Sequence, residues 1–318
     1  MKTLQKQIIY GFSIKDIFIR IIFLILAAVF VTIISACGDG DSGVTPPPEE
    51  EPSDYFDPTD FPIPVREAQQ AWGQAAFDES GDLLVVGGRS GSIFKVSRDD
   101  ASQTEVLPVE GTNGLIVSVV VDIDNKKLYV GDDVGLVYLV DRSTGETEPI
   151  GNVGDLNSVN GLVIAPGDYG DFGGHLIAAT DIGIFALDPT EEPGAPAKII
   201  VDGRISFSDL EFADDGTLYA VRPTADSVYT IEPTGNYNPE IPLRGFPSGI
   251  AVDSTSQRLF VAMYLDDDLF SVDINTGNSQ YIDYFDFYSY PSGLAFDGRN
   301  LLMLTGGDYS MQIELITP

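Results

Sequence analysis

A phrase of strand-like runs recurs six times between Trp72 and Pro318, and that recurrence limits the fold more than any single residue does. Its clearest copy is Pro247-Ser248-Gly249-Ile250-Ala251-Val252-Asp253, followed by Arg258–Ala262 and Leu269–Asp273. Pro291-Ser292-Gly293-Leu294-Ala295-Phe296-Asp297 repeats the opening almost letter for letter. Aligned on the end of the first run, the copies reach Asp78, Asp122, Ala165, Ala213, Asp253 and Asp297. The mean step, about 44 residues, is that of a propeller blade of four antiparallel strands.

The second and third runs hold their places in every copy. Second strands are expected over Leu83–Val86, Leu128–Val130, Leu176–Ala179, Leu218–Val221, Leu259–Ala262 and Leu301–Leu304. Third strands follow at Ile93–Val96, Leu136–Val140, Ile184–Leu187, Val228–Ile231, Leu269–Val272 and Ile313–Ile316. Three copies then turn through Thr144-Gly145, Thr234-Gly235 and Thr276-Gly277, residues suited to chain reversal. The runs are β-branched and aromatic, and no helical period appears after the N-terminal segment. The expectation is an all-β, six-bladed propeller over 61–318. The sixth copy lacks a fourth strand, and Phe61-Pro62-Ile63-Pro64-Val65 is a spare one. On the outer edge of blade six it would close the ring, and an edge strand tolerates proline.

Residues 1–36 carry Lys2, Lys6, Lys15 and Arg20 ahead of an apolar run from Ile21 to Ala36. Sixteen residues are short of the ~20 of a membrane span and suit a signal peptide. The run ends in Ile34-Ser35-Ala36-Cys37, which resembles a bacterial lipoprotein signal, so lipidation at Cys37 and a membrane anchor are expected. Gly38 rather than aspartate follows the cysteine, which favours the outer membrane. Residues 37–60, acidic and rich in proline, read as a disordered linker.

The formal net charge is −32, and it becomes more negative once the basic N-terminus is set aside. Such a surface repels phosphate backbones, so nucleic acid is excluded as a partner. Cys37 and His175 are the only residues of their types, which leaves no intramolecular disulfide and no multi-histidine metal site within one chain. Aspartates after the second strands (Asp132, Asp133, Asp181, Asp226, Asp266, Asp267, Asp268 and Asp308) fall on one face with the starts of the first strands. That rim offers Gln74, Ser118, Asn160, Ser208, Asp209, Ser248 and Ser292, with Gln74 and the serines as ligand contacts, and oxygen-rich groups of this kind suit Ca²⁺ or another divalent cation.

The phrase Pro-Ser-Gly-(Leu/Ile)-Ala-(Phe/Val)-Asp with Val-Asp-x-x-Thr-Gly resembles the six-bladed superfamily of NHL-repeat and gluconolactonase-like (senescence-marker-protein) proteins. That resemblance implies a metal-binding asparagine at Asn160, in Asn160-Gly161-Leu162, and a metal-binding aspartate at Asp209. It also implies a glutamate opening blade one, where this chain has Trp72-Gly73-Gln74-Ala75. Two readings follow. One is a monomeric, membrane-anchored propeller outside the cytoplasm that binds a protein, glycan or small molecule without chemistry of its own. The other is a divalent-metal-dependent lactonase-type hydrolase.

Overall fold

The computed structural model describes residues 61–65, 73–86, 91–100, 104–154, 157–225, 227–243, 245–284, 291–307, 310–316 and 318. The signal segment, Cys37, the linker, Trp72, Asp226 and Asp308 lie outside the described residues.

Six sheets make a six-bladed propeller. Blade 1 is Ala75–Phe77, Leu83–Val86, Ser92–Val96 and Thr104–Pro108. Blade 2 is Ile116–Asp122, Lys127–Asp132, Leu136–Val140 and Thr147–Asn152, with Ala195–Pro196 added in parallel on its outer edge. Blade 3 is Val159–Ile164, Leu176–Thr180, Gly183–Leu187 and Lys198–Val201. Blade 4 is Asp209–Phe212, Leu218–Val221, Ser227–Ile231 and Tyr237–Pro242. Blade 5 is Pro247–Asp253, Arg258–Met263, Asp268–Asp273 and Ser279–Tyr284. Blade 6 is Leu294–Phe296, Leu301–Gly307 and Ser310–Ile316, completed by Ile63–Val65. That last pairing is antiparallel, Ile63 opposite Ile313, so the N-terminal strand closes the ring as expected.

The packing explains why second strands read as unbroken apolar runs. Each is covered on both faces by neighbouring blades, so alternation of polar and apolar residues disappears. Leu83 and Val85 face the seam with blade 6, while Leu84 and Val86 face blade 2. Among the described residues the core divides into six clusters, one per seam. The Asp-x-x-Thr-Gly turns also have a physical cause. Asp141 Oδ1 accepts from the Ser143 and Thr144 amides, and Asp273 Oδ1 from the Thr276 amide. Gly145 and Gly277 supply the positive φ, 79° and 69°, that ends the reversal.

Candidate functional site

The first strand of each blade is an inner edge with unpaired backbone groups facing the axis, and the site is built on how those groups are satisfied. Pairing with the second strands sets the blades in common register. Ile250 opposite Val261 matches Val119 opposite Val130 and Leu162 opposite Ala178. Bulges before these pairs turn one residue of the first strand toward the mouth of the channel. The mouth layer is therefore Gly73, Val117, Asn160, Ser208, Ser248 and Ser292. All six line a cavity of about 500 Å³.

Three polar members of that layer form a relay between blades. Asn160 Nδ2 donates to the Phe207 carbonyl (2.9 Å), Ser208 Oγ to the Pro247 carbonyl (2.9 Å), and Ser248 Oγ to the Pro291 carbonyl (2.7 Å). Each acceptor immediately precedes the equivalent position of the next blade. The hydroxyls expected to meet a ligand thus already bond across the seams. Ser292 Oγ is buried and has no hydrogen-bond partner among the described residues.

One residue further along the strands lies a second layer: Gln74, Ser118, Gly161, Asp209, Gly249 and Gly293. Here two side chains plug the channel. Gln74 Oε1 accepts from the Val119 and Leu162 amides (3.2 and 3.0 Å). Its Nε2 donates to the Leu162 carbonyl (3.1 Å) and to Asp209 Oδ1 (3.3 Å). Asp209 Oδ1 also accepts from its neighbour Leu210, and Oδ2 accepts from the Ile250 amide (3.0 Å). Gln74 and Asp209 between them engage the backbone of four first strands. Ser118 is fully buried with an unbonded hydroxyl, away from the cavity lining.

The sequence placed Gln74, Ser118, Asn160, Asp209 and the serines on one rim, whereas the structure divides them between two layers. Asn160 lines the cavity and bonds Asp181 Oδ1 at 3.0 Å. Asp209 lies below it, packed against the α-carbon of Gly161. A divalent ion needs several free oxygens converging on one point. Both Asp209 oxygens already take N–H donors, while Asp181 and Phe207 hold the Asn160 amide nitrogen and so fix the amide whose oxygen a cation would meet. Among the described residues no three of His, Cys, Asp and Glu gather to hold a metal. The described residues thus show no assembled metal site of the kind the resemblance implies.

Of the loop aspartates, Asp133 and Asp181 line the cavity. Asp132 is fully buried, accepting from the amides of Gly114, Val134 and Leu136 and from the Tyr138 hydroxyl, which marks it as a loop brace. The remaining walls combine Leu115, Pro223, Phe246, Tyr264 and Leu265 with the small polar residues Ser158, Ser206 and Thr224. His175 is buried and stacks edge-on against Phe172 in the loop after the first strand of blade 3.

Glu211, two residues beyond Asp209, was not anticipated. Burial pushes its carboxyl up to about 8, the neighbouring Asp209 charge adds to this, and the Phe212 amide opposes it. Burial likewise raises Asp209 to about 7 against the Ile250 and Leu210 amides. Both acids titrate higher in the folded protein than in the unfolded chain, so between these values the native state holds protons the unfolded state has lost. Stability from this pair is greatest near pH 4 and falls as pH rises toward 8. Glu211→Gln is expected to leave stability at pH 4 unchanged and to raise it at pH 9 by about 1–3 kcal/mol. Urea denaturation at both pH values checks this; equal stability of variant and parent at pH 9 would contradict it.

No family profile and no curated protein sequence matches the chain. Solved structures do resemble it. Calcium-binding regucalcin from Agrobacterium tumefaciens superposes with TM-score 0.60 at 16% identity, over 81% of this chain and 94% of that one. A gluconolactonase from Xanthomonas campestris gives 0.61 at 17%, over 80% and 90%. The PQQ-bound aldose sugar dehydrogenase from Streptomyces coelicolor gives 0.61 at 16%, over 80% and 98%. A calcium-binding protein, a lactonase and a PQQ dehydrogenase on one scaffold, at such low identity, carry the architecture and no activity. The chain is a six-bladed β-propeller with the fold of gluconolactonase- and regucalcin-like proteins.

Proposed function

We propose that this propeller is a binding module held outside the cytoplasm by lipid on Cys37, with its ligand seated in the cavity at the channel mouth. One observation carries the reading. Of six large hydrophobic side chains exposed among the described residues, three (Leu115, Phe246 and Leu265) line that one cavity. Exposed apolar groups gathered round a concavity mark a binding surface, whereas scattered ones do not. The cavity volume suits a small molecule or a few side chains of a peptide. Asp133 and Asp181 on the lining, within a strongly acidic protein, favour a neutral or cationic ligand with an apolar body.

A thermal-shift screen of neutral, cationic and anionic aromatic fragments tests this, because a bound ligand stabilises by RT ln(1 + [L]/Kd). Neutral and cationic fragments should raise Tm, and Phe246→Ala with Leu265→Ala should abolish the rise. Stabilisation by Ca²⁺ or Mn²⁺, lost in Asn160→Ala, together with lactone turnover would instead establish the hydrolase reading suggested by the gluconolactonase likeness. The anchor has a separate test. Cys37→Ser should leave the membrane fraction or remain unprocessed, and a processed, membrane-bound variant would remove the lipid assignment.

A further inference from the structure

The channel has a second cavity, of about 340 Å³, at the end where the first strands finish, and the reading above makes no use of it. Gln74 and Leu162 form its inner limit. Its walls follow the repeat. At the position of Glu211 the other blades carry Ala76, Val120, Val163, Ala251 and Ala295, and all six residues line the cavity. The next position contributes Phe77, Phe212 and Phe296 from three blades and aliphatic residues from the rest. Ile123, 55% exposed, stands at its rim.

A carboxylate where five blades carry alanine or valine is a departure from the packing rule of the fold. No cation pairs with Glu211 among the described residues; its one acceptor bond is to the Phe212 amide. A carboxylate half-buried among apolar walls is costly unless a proton or a partner compensates it. An anion is excluded by Glu211 and by Asp209 just above. A metal ion would have to exchange its water shell for one carboxylate among apolar walls, which supply too few oxygens. A neutral apolar molecule would leave the carboxyl only its proton as compensation. An organic ammonium answers both features, since it joins a positive charge to apolar substituents and is attracted to aromatic side chains.

We propose that the far end of the channel is a binding site for a small organic ammonium ion, with Glu211 as its counter-ion and Phe77, Phe212 and Phe296 as its aromatic collar. The site is independent of the mouth cavity, from which the Gln74–Asp209 plug separates it.

Isothermal titration of the full chain in detergent with tetramethylammonium and n-butylammonium chloride tests the proposal. 1-Butanol serves as the neutral counterpart and NaCl as the ionic-strength control. The ammonium ions are expected to bind and the alcohol and salt not to. Glu211→Gln should weaken ammonium binding at least tenfold, and Phe77→Leu severalfold. Asp181→Asn, at the other cavity, should leave it unchanged. Far-ultraviolet circular dichroism establishes that each variant is folded. Absence of ammonium binding to the parent chain, undiminished binding to Glu211→Gln, or binding lost in Asp181→Asn would each overturn the assignment.

Discussion

Replacing Gln74 with alanine is expected to cost the fold about 3–5 kcal/mol, making it one of the most damaging truncations in the channel. The side chain satisfies two amides and one carbonyl on the first strands of blades 2 and 3, and it donates a hydrogen bond to Asp209. Alanine would strand these groups away from bulk water, at about 1–3 kcal/mol for each unsatisfied group. Water entering the vacated channel would recover part of that, which keeps the figure below the simple total. In a domain of this size the loss corresponds to a fall in Tm of about 10 °C. Gln74→Glu provides an internal check. It keeps both acceptor bonds but sets a second carboxyl against Asp209, so its penalty should grow as pH rises through 7. A loss below ~1 kcal/mol for Gln74→Ala in chemical denaturation would show that the plug is dispensable.

Gly249→Ala should be at least as severe. A β-carbon at Gly249 would stand 1.8 Å from the Ser292 carbonyl oxygen, an atom of the neighbouring blade's backbone. Gly293 is in the same position against the Gly73 carbonyl, at 2.6 Å. Neither contact can relax by a change of rotamer, so the β-carbon at Gly249 would force blades 5 and 6 apart and one at Gly293 blades 6 and 1, opening the apolar seam between them. A destabilisation of about 4 kcal/mol or more is expected, seen as loss of soluble folded protein or a sharply lowered denaturation midpoint. Gly167→Ala is the control, with nothing within 4 Å of its added carbon and no left-handed backbone to strain. Similar losses at both positions would mean that close approach at Gly249 is not what the glycine provides.

These two positions show what was legible in the residues. The Pro-Ser-Gly phrase was visible as repetition, but only the structure supplies its reason: glycine admits the next blade's carbonyl. The second strands could be placed because both of their faces are covered, which leaves a strong local signal. The channel layers were harder. Counting back from the aligned ends, Asn160 lies five residues before Ala165, whereas Gln74 and Ser118 lie four before Asp78 and Asp122. In an extended strand that single step sends a side chain in another direction. Judging by residue likeness merged the two layers; counting separates them. Glu211 was equally open to view as the one acid where the other copies have alanine or valine. Its isolation depends on five strands distant in sequence, which no local pattern conveys. The hydroxyl relay through Ser208 and Ser248 was illegible for the same reason, since its acceptors are backbone atoms about 40 residues away.

The pairing of Ile63 with Ile313 has a consequence for biogenesis. During translation the outermost strand of the last blade leaves the ribosome first and must wait for nearly the whole domain before its partner exists. Entropy of so long a loop rises only logarithmically with length, so the finished molecule loses little by this arrangement. The nascent one is more vulnerable, because an unpaired sheet edge invites aggregation until the final residues emerge. A circular permutant that moves 61–65 behind the last blade would make the four antiparallel strands of every blade contiguous in the chain and relieve that wait.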